Sequence, residues 1–214
     1  MMRMKNSDTK ARILEKSIEI FNRFGFVNIR LQHIADEVGI SVGNLAYHYK
    51  NKDAIIEAIY EEIEQSQKLL LDDLKIVPLF VNIDKHIRDT FQIQQRFSFF
   101  YSDTFEMLRA FPAIKRKYRE SAGWYIKQIE NLIQFNVARG AFLPESQVGL
   151  HQKLAEHYWM MMELWLYQSR IRTFEAVNIE DYVFSLWAIL IPHFTEIGKQ
   201  EYKQMNLLEN FNWL

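Results

Sequence analysis

The side chains that could act on another molecule are narrowed first by what is missing. There are no cysteines, which excludes disulfides and thiolate metal sites. The six histidines are His33, His48, His86, His151, His157 and His193. None stands four residues from another and no His-Glu-x-x-His occurs, so no metal site is expected from them. His151 and His157 are six apart, on different faces of a helix. Gly-x-Ser-x-Gly, phosphate-cradling glycine loops and dinucleotide fingerprints are absent too. The carboxylates read as solvated helix faces. No catalytic residue, metal or cofactor is therefore expected.

What remains is a polar and aromatic set between Arg30 and Lys52. The stretch from Leu31 to Tyr49 has the spacing of two short helices around a tight turn. Ala35 is small where the helices would cross, and Gly39 suits a left-handed turn residue. Ile34, Val38, Ile40 and Leu45 would form the small core between them, and Ser41 can cap the second helix. That helix would present Val42, Asn44, Tyr47 and His48 to a DNA major groove. Charge points the same way. Residues 1–52 hold nine Lys/Arg and five Asp/Glu, a balance of +4, while the remainder balances at −5. A basic head on an acidic body suits anion binding at the head.

The segment from about Thr9 to Ile63 resembles the DNA-binding domain of the TetR family. The resemblance rests on Phe21-Asn-Arg-Phe-Gly25-Phe26, then Ile34-Ala35, then Gly39-Ile40-Ser41-Val42-Gly43-Asn44-Leu45, then Ala46-Tyr47-His48-Tyr49-Lys50-Asn51-Lys52-Asp53. It implies DNA contacts at Gln32, Val42, Gly43, Asn44, Tyr47, His48 and Lys52, and Arg30 and Ser41 join them as candidate contacts. Asn44 would pair with adenine, and Tyr47 and Lys52 would hold the backbone. Two positions depart from the family pattern. Ala46 stands where a tyrosine is frequent, so a common phosphate hydroxyl is missing. Arg30 stands where a Ser/Thr cap is usual; it cannot cap, but it could reach a phosphate.

These residues need elements to hold them. Gly (7) and Pro (4) are scarce, no stretch alternates with period two, and apolar residues recur at helical spacing. A first helix spans 8–24, with Ser7 and Asp8 as caps and Gly25 as its stop; short helices follow over 31–38 and from Ser41 to about Tyr47. Asn51 caps a helix from Lys52 to about Lys75. Further helical spacing covers 84–91, 98–110, 112–139, 145–170 and 178–199, with Pro192 predicting a break in the last. The expectation is an all-α protein of roughly nine helices. It has an N-terminal three-helix helix-turn-helix DNA-binding domain, 1–52 with the family match reaching about 63. A larger C-terminal helical ligand-binding and dimerisation domain covers 53–214. No stretch reaches the roughly 18 apolar residues of a membrane span, so no membrane partner and a cytoplasmic location are expected.

The second domain holds most of the aromatic residues. An aromatic, Met-rich helical body can enclose an apolar pocket. Phe97, Phe100, Tyr101, Phe105, Trp124, Tyr125, Tyr158, Trp159 and Met162 are its candidate lining, for a small, largely apolar or aromatic ligand. Leu154, Met161, Trp165, Phe184, Trp187, Leu190 and Ile191 lie on helices too apolar to be covered on one side only. The resemblance implies that these helices form a homodimer and that the dimer reads a palindromic operator in double-stranded DNA. The expected function is a sequence-specific transcription regulator, a repressor released by a small inducer. A helical interaction protein with degenerate DNA binding, and an all-helical enzyme, stay open as alternatives.

Overall fold

The structure is a computed structural model. It describes residues 2–74, 77–172 and 177–211, with side chains for 8–71, 77–172 and 177–206. In chain order the helices are α1 (Met2–Phe24), α2 (Leu31–Val38), α3 (Val42–His48), α4 (Lys52–Leu74) and α5 (Phe80–Arg96). Then come α6 (Ser98–Ser102), α7 (Thr104–Ala110), α8 (Pro112–Ala138), α9 (Leu150–Arg172), α10 (Ile179–Leu190) and α11 (Glu196–Phe211). Among the described residues the only extended pairing is a bridge between Phe142 and Phe194.

The all-α expectation holds, and so do most boundaries in the head. Pro112 is the first residue of α8, where its missing N–H costs no helical bond. Pro192 sits in a single turn of 3-10 helix, Ile191–His193, which separates α10 from α11. Three expectations need correction. α1 begins at Met2, so Ser7 and Asp8 lie inside the helix rather than capping it. The 98–110 pattern is two helices broken at Asp103. The helix expected over 178–199 is two, and the second runs on to Phe211. The expected end of α4 at Lys75 lies outside the described residues.

The chain divides into two compact units. One is residues 1–66 with 93–116; the other is 67–92 with 117–214. The division expected from the extent of the helix-turn-helix match, at 52/53, is not the division into compact bodies. In the first unit Ile13, Phe21, Ile34, Leu45, Ile55 and Ile59 are completely buried. Residues 96–101 belong to this core. Asn22 on α1 accepts from Phe99 N–H (2.9 Å) and Ser98 Oγ (3.1 Å), and donates to the Arg96 carbonyl (2.8 Å). The Arg96 guanidinium reaches Glu15 (3.0 Å) and Glu62 (2.7 Å). The Phe21 and Phe99 rings lie 5.3 Å apart, and those of Tyr60 and Phe100 5.4 Å.

In the second unit α9 and α10 pack together, and the Phe80 ring meets Phe142, Trp187 and Phe194. Asp84 is buried but satisfied: it accepts from Trp187 Nε1 (2.7 Å) and Arg88 Nε (2.7 Å). α11 docks on the turn at 140–143. There Thr195 N–H donates to the Ala141 carbonyl (3.0 Å) and Gly198 sits against the same carbonyl. A Cβ at 198 would fall 2.2 Å from that backbone oxygen, too close for any side chain. Gly198→Ala should therefore cost about 1–3 kcal/mol, as overpacking does, and lower the melting temperature by several degrees in a thermal melt.

Glu163 on α9 contrasts with Asp84. It is 5% exposed, and Tyr118 Oη donates its one hydrogen bond (3.1 Å) among the described residues. Burial pushes its carboxyl up to about 7 from the ordinary 4.5, with the Tyr118 bond opposing. Between those two values the native protein keeps a proton that the unfolded chain has released. Stability from this group is therefore full below pH 4.5, falls as pH rises, and is gone above about 7. Glu163→Gln keeps an acceptor for Tyr118 and removes the charge. It should stabilise the protein at pH 8 by on the order of 2 kcal/mol and flatten the slope of stability between pH 4.5 and 7, read from denaturant melts at several pH values. Buried His86, whose burial lowers it to about 4, is common to both proteins and cancels in the difference.

Candidate nucleic-acid interface

The geometry of the head is set by a turn. Gly39 adopts φ 74°, ψ 37°, a left-handed conformation that a side chain resists. This lets Ile40 N–H reach the Ala35 carbonyl (3.0 Å) and Gly39 N–H the Asp36 carbonyl (3.1 Å), closing the end of α2. Two residues later Ser41 Oγ accepts from Asn44 N–H (3.1 Å) and starts α3. Leu45 then points inward, fully buried with Ile34 and Ala35. Ile40, expected in that small core, is half-buried.

With Leu45 fixed, the opposite face of α3 is determined. Gly43, Asn44, Ala46 and Tyr47 are exposed, Tyr47 at 77%. Gly43 and Asn44 lie one turn before Tyr47 on the same stripe. Val42 and His48 are half-buried at its edges, and the Tyr47 and His48 rings meet edge to face at 5.2 Å. The sequence-expected reading helix is thus an uncovered polar and aromatic face on a rigid support.

Two of the expected contact residues, Gln32 and Lys52, also carry local structural duties that the sequence did not disclose, while Arg30 does not. Arg30 is exposed at the start of α2, and its side chain makes no cap bond. His33 supplies the cap instead: its Nδ1 accepts from Arg30 N–H at 3.2 Å, which places the ring proton on Nε2. That leaves the guanidinium of Arg30 unused by the cap. Gln32 Nε2 donates to Asp36 Oδ1 (2.6 Å), one turn along α2.

Lys52 is the largest surprise. Its ammonium donates to the carbonyls of Phe26 (2.8 Å) and Ile29 (2.9 Å), with Val27 at 3.5 Å. Those acceptors form the loop that joins α1 to α2, so Lys52 pins that loop to the start of α4, which Asn51 caps by accepting from Ala54 N–H (2.9 Å). Burial holds its ammonium below the usual lysine value, and neighbouring Asp53 opposes that. A motif shows only that a lysine occurs here. The three carbonyls come from residues more than twenty positions away, which no local pattern displays.

The second unit separates the expected pocket and dimer residues. Phe97, Phe100 and Tyr101, at most 2% exposed, fill the core of the first unit and not a pocket of the second, while Phe105 is 80% exposed. These four assignments are corrected. Aromatic composition marks buried rings without saying which core they enter. Tyr125, Tyr158 and Met162 are buried in the second unit, with Trp124 and Trp159 partly buried against them. Of the expected dimer residues, Leu154, Trp165, Trp187 and Leu190 are between 1% and 6% exposed and fill their own chain's core, a further correction. Met161 and Phe184 are exposed and Ile191 is half-buried. The outward apolar face of α9 is instead Met160, Met161, Leu164, Tyr167 and Ile171. A groove of about 640 Å³ runs between this face and α10, lined by His157, Met160, Met161, Leu164, Trp165, Gln168, Arg172, Ser185 and Ile189.

Comparison with known proteins agrees with this geometry. Residues 13–59 match the family described as bacterial regulatory proteins, tetR family, and residues 82–202 match the TetR family described as bacterial transcriptional repressor. The HTH-type transcriptional regulator RutR of Escherichia coli K12 is 37% identical over 57 residues, 27% of this chain and 27% of that protein's length. A TetR-family transcriptional regulator from Marinobacter aquaeolei superposes with a TM-score of 0.83 at 24% identity, over 92% of this chain and 97% of that one. A putative transcriptional regulator from Saccharomonospora viridis, in complex with choline, superposes with a TM-score of 0.70 at 18% identity, over 89% of this chain and 99% of that one. With both family matches lying in order along one chain, an N-terminal helix-turn-helix and a C-terminal helical body, the protein belongs to the TetR family of bacterial transcriptional regulators.

Proposed function

We propose that this regulator represses transcription as a homodimer on a palindromic operator and is released by a small molecule held in its second unit. The observation that carries the reading is the outward face of α3. Gly43, Asn44 and Tyr47 stand free on a helix whose inner face is locked by Leu45. In a major groove Asn44 would pair with adenine, while Tyr47, His48, Gln32 and the Ser41–Val42 backbone would fix register on phosphates. Two-fold symmetry would set the two α3 helices about 34–36 Å apart, one turn of DNA. The second copy would cover the exposed apolar stripe of Met161, Leu164 and Tyr167 with Phe184. No described helix is long and apolar enough to cross a membrane, and a DNA-binding role would put the protein in the cytoplasm.

The ligand-responsive step is an equilibrium between two spacings of the reading helices. An inducer shifts it only by its differential affinity for the two states. α4 contributes residues 52–66 to the first unit and 67–74 to the second, which makes it the natural lever. A crosslink that fixes the DNA-bound spacing should abolish release by inducer, and persistent release would exclude the lever.

The primary test is a gel shift with DNA from upstream of the protein's own gene. Binding should prefer one palindrome and tighten as salt falls, and sedimentation should give a dimer at micromolar concentration. Asn44→Ala should cost about 1–3 kcal/mol and relax preference at one base pair per half-site. Arg30→Ala should reduce the slope of log affinity against log salt by about one for each phosphate released. Lys52→Met separates the two roles of that lysine. Loss of its carbonyl contacts should destabilise the DNA-free protein by about 1–3 kcal/mol in a thermal melt, which loss of a phosphate contact alone would not do.

A further inference from the structure

Glu163 stands out in the second unit as a buried acid with no cationic partner among the described residues. It interrupts the run Met160-Met161-Met162-Glu163-Leu164-Trp165 on the core-facing side of α9. A carboxylate so buried ordinarily has a cation or several N–H donors. Asp84, in the same unit, has both Arg88 and Trp187. Glu163 has the Tyr118 hydroxyl, and no lysine or arginine among the described residues pairs with it. Glutamine would serve the same hydrogen bond at lower cost.

The surroundings supply the rest of a recognition site. Tyr118 does two things at once: its hydroxyl donates to Glu163 and its ring meets Trp159, centroids 6.2 Å apart at 53°. Trp159 precedes Glu163 by one turn of α9, so both lie on the same stripe. Tyr118 and Trp159 are half-buried, while Glu163 is buried. A buried acid that can ionise, with a tyrosine and a tryptophan beside it, brings together the two attractions that hold an ammonium group out of water: opposite charge, and the negative faces of aromatic rings. A neutral or anionic ligand would gain nothing from the charge.

We infer that Glu163, Tyr118 and Trp159 form the recognition site for an organic cation, an alkylammonium group on an apolar frame, and that this cation is the effector class of the regulator. The inference rests on reading the second unit as an effector-binding body, and it narrows that ligand from apolar to cationic with apolar flanks. Tyr118 orients the carboxylate, Glu163 supplies the charge, and Trp159 covers the alkyl groups.

The test uses the full-length protein and two quaternary probes, choline and benzyltrimethylammonium. They are set against 3,3-dimethylbutan-1-ol, which has carbon in place of the choline nitrogen. Binding is read by calorimetry and by quenching of tryptophan fluorescence. At least one quaternary probe should bind saturably, with the neutral alcohol about tenfold weaker or worse than choline wherever choline binds. Glu163→Gln should weaken the bound probe about tenfold or more while leaving the helical circular dichroism intact. Trp159→Leu, which keeps the carboxylate, should weaken it severalfold and guards against a folding defect in the first variant. Saturable binding by neither ammonium probe, equal binding of choline and its neutral isostere, or full affinity in Glu163→Gln would each overturn the inference. A parallel gel shift on the upstream DNA keeps the two readings apart. DNA binding that a neutral compound releases, with no ammonium bound, sinks the cation site and leaves the regulator. Ammonium binding in a protein that shifts no DNA does the reverse.

Discussion

α3 has seven residues, about half the length at which an isolated helix becomes even marginally stable in water. Every claim about what this protein reads depends on how so short a helix is held. Ser41 satisfies one of its free N–H groups, Gly39 sets its entry angle, and Leu45 anchors it by complete burial. Burying one leucine contributes about 1.5–3 kcal/mol, comparable to the cap and larger than any surface pair the helix could form. With one inward anchor, the outward stripe of Gly43, Asn44 and Tyr47 follows without freedom. The exposed face is therefore a by-product of the packing face, and the polar residues on it can vary without disturbing the support.

The support has its own keystone. The loop 26–29 offers carbonyls that no helix satisfies, and the Lys52 ammonium, brought in by the first turn of α4, accepts that task. A half-buried ammonium with carbonyl partners fixes where α4 starts relative to the loop, and so where the helix-turn-helix sits between α1 and α4. A similar long-range tie closes the unit at its other edge, where Asn22 and the Glu15–Arg96–Glu62 cluster hold residues 96–99 on α1 and α4. These contacts explain why the compact unit takes in residues 93–116 as well as the head.

This difference marks what the amino-acid sequence could show. Gly39, Ser41 and Leu45 act on neighbours within six positions, so their types and spacing revealed α2, α3 and the turn between them. Pro112 and Pro192 act on their own backbone, and both were placed correctly. Ties that define the units, such as Lys52 to Ile29 and Trp187 to Asp84, span 23 and 103 positions, and no period or motif records them. For that reason aromatic composition alone points Phe97, Phe100 and Tyr101 to a pocket of the second unit, whereas they fill the core of the first. α9 and α10 failed differently. Both are apolar on more than one side, so periodicity could show that two faces are covered but not which side chains serve the protein's own core and which a neighbour. Trp165 and Trp187 face inward, where their rings meet Phe91, Tyr182 and Phe80 and their indole N–H groups find Ser185 and Asp84.

The same logic gives the buried charges of the second unit different meanings. Asp84 is consumed by the fold: Trp187 and Arg88 satisfy it, and Arg88 continues to Glu180 at 2.7 Å, so α5 and α10 are joined through it. Removing that carboxylate would strand two donors. Removing the charge of Glu163 would leave the Tyr118 hydroxyl an acceptor, since it can donate to an amide oxygen as well as to a carboxylate. In the cation-binding reading inferred above, the ligand-bound state is the one that uses this charge, because coupling free energy is available only where the two states differ in what they satisfy. An unpaired buried carboxylate is such a difference: costly when empty, neutralised when a cation arrives. The cost borne by the free protein and the selectivity offered to the ligand are then one quantity seen from two states.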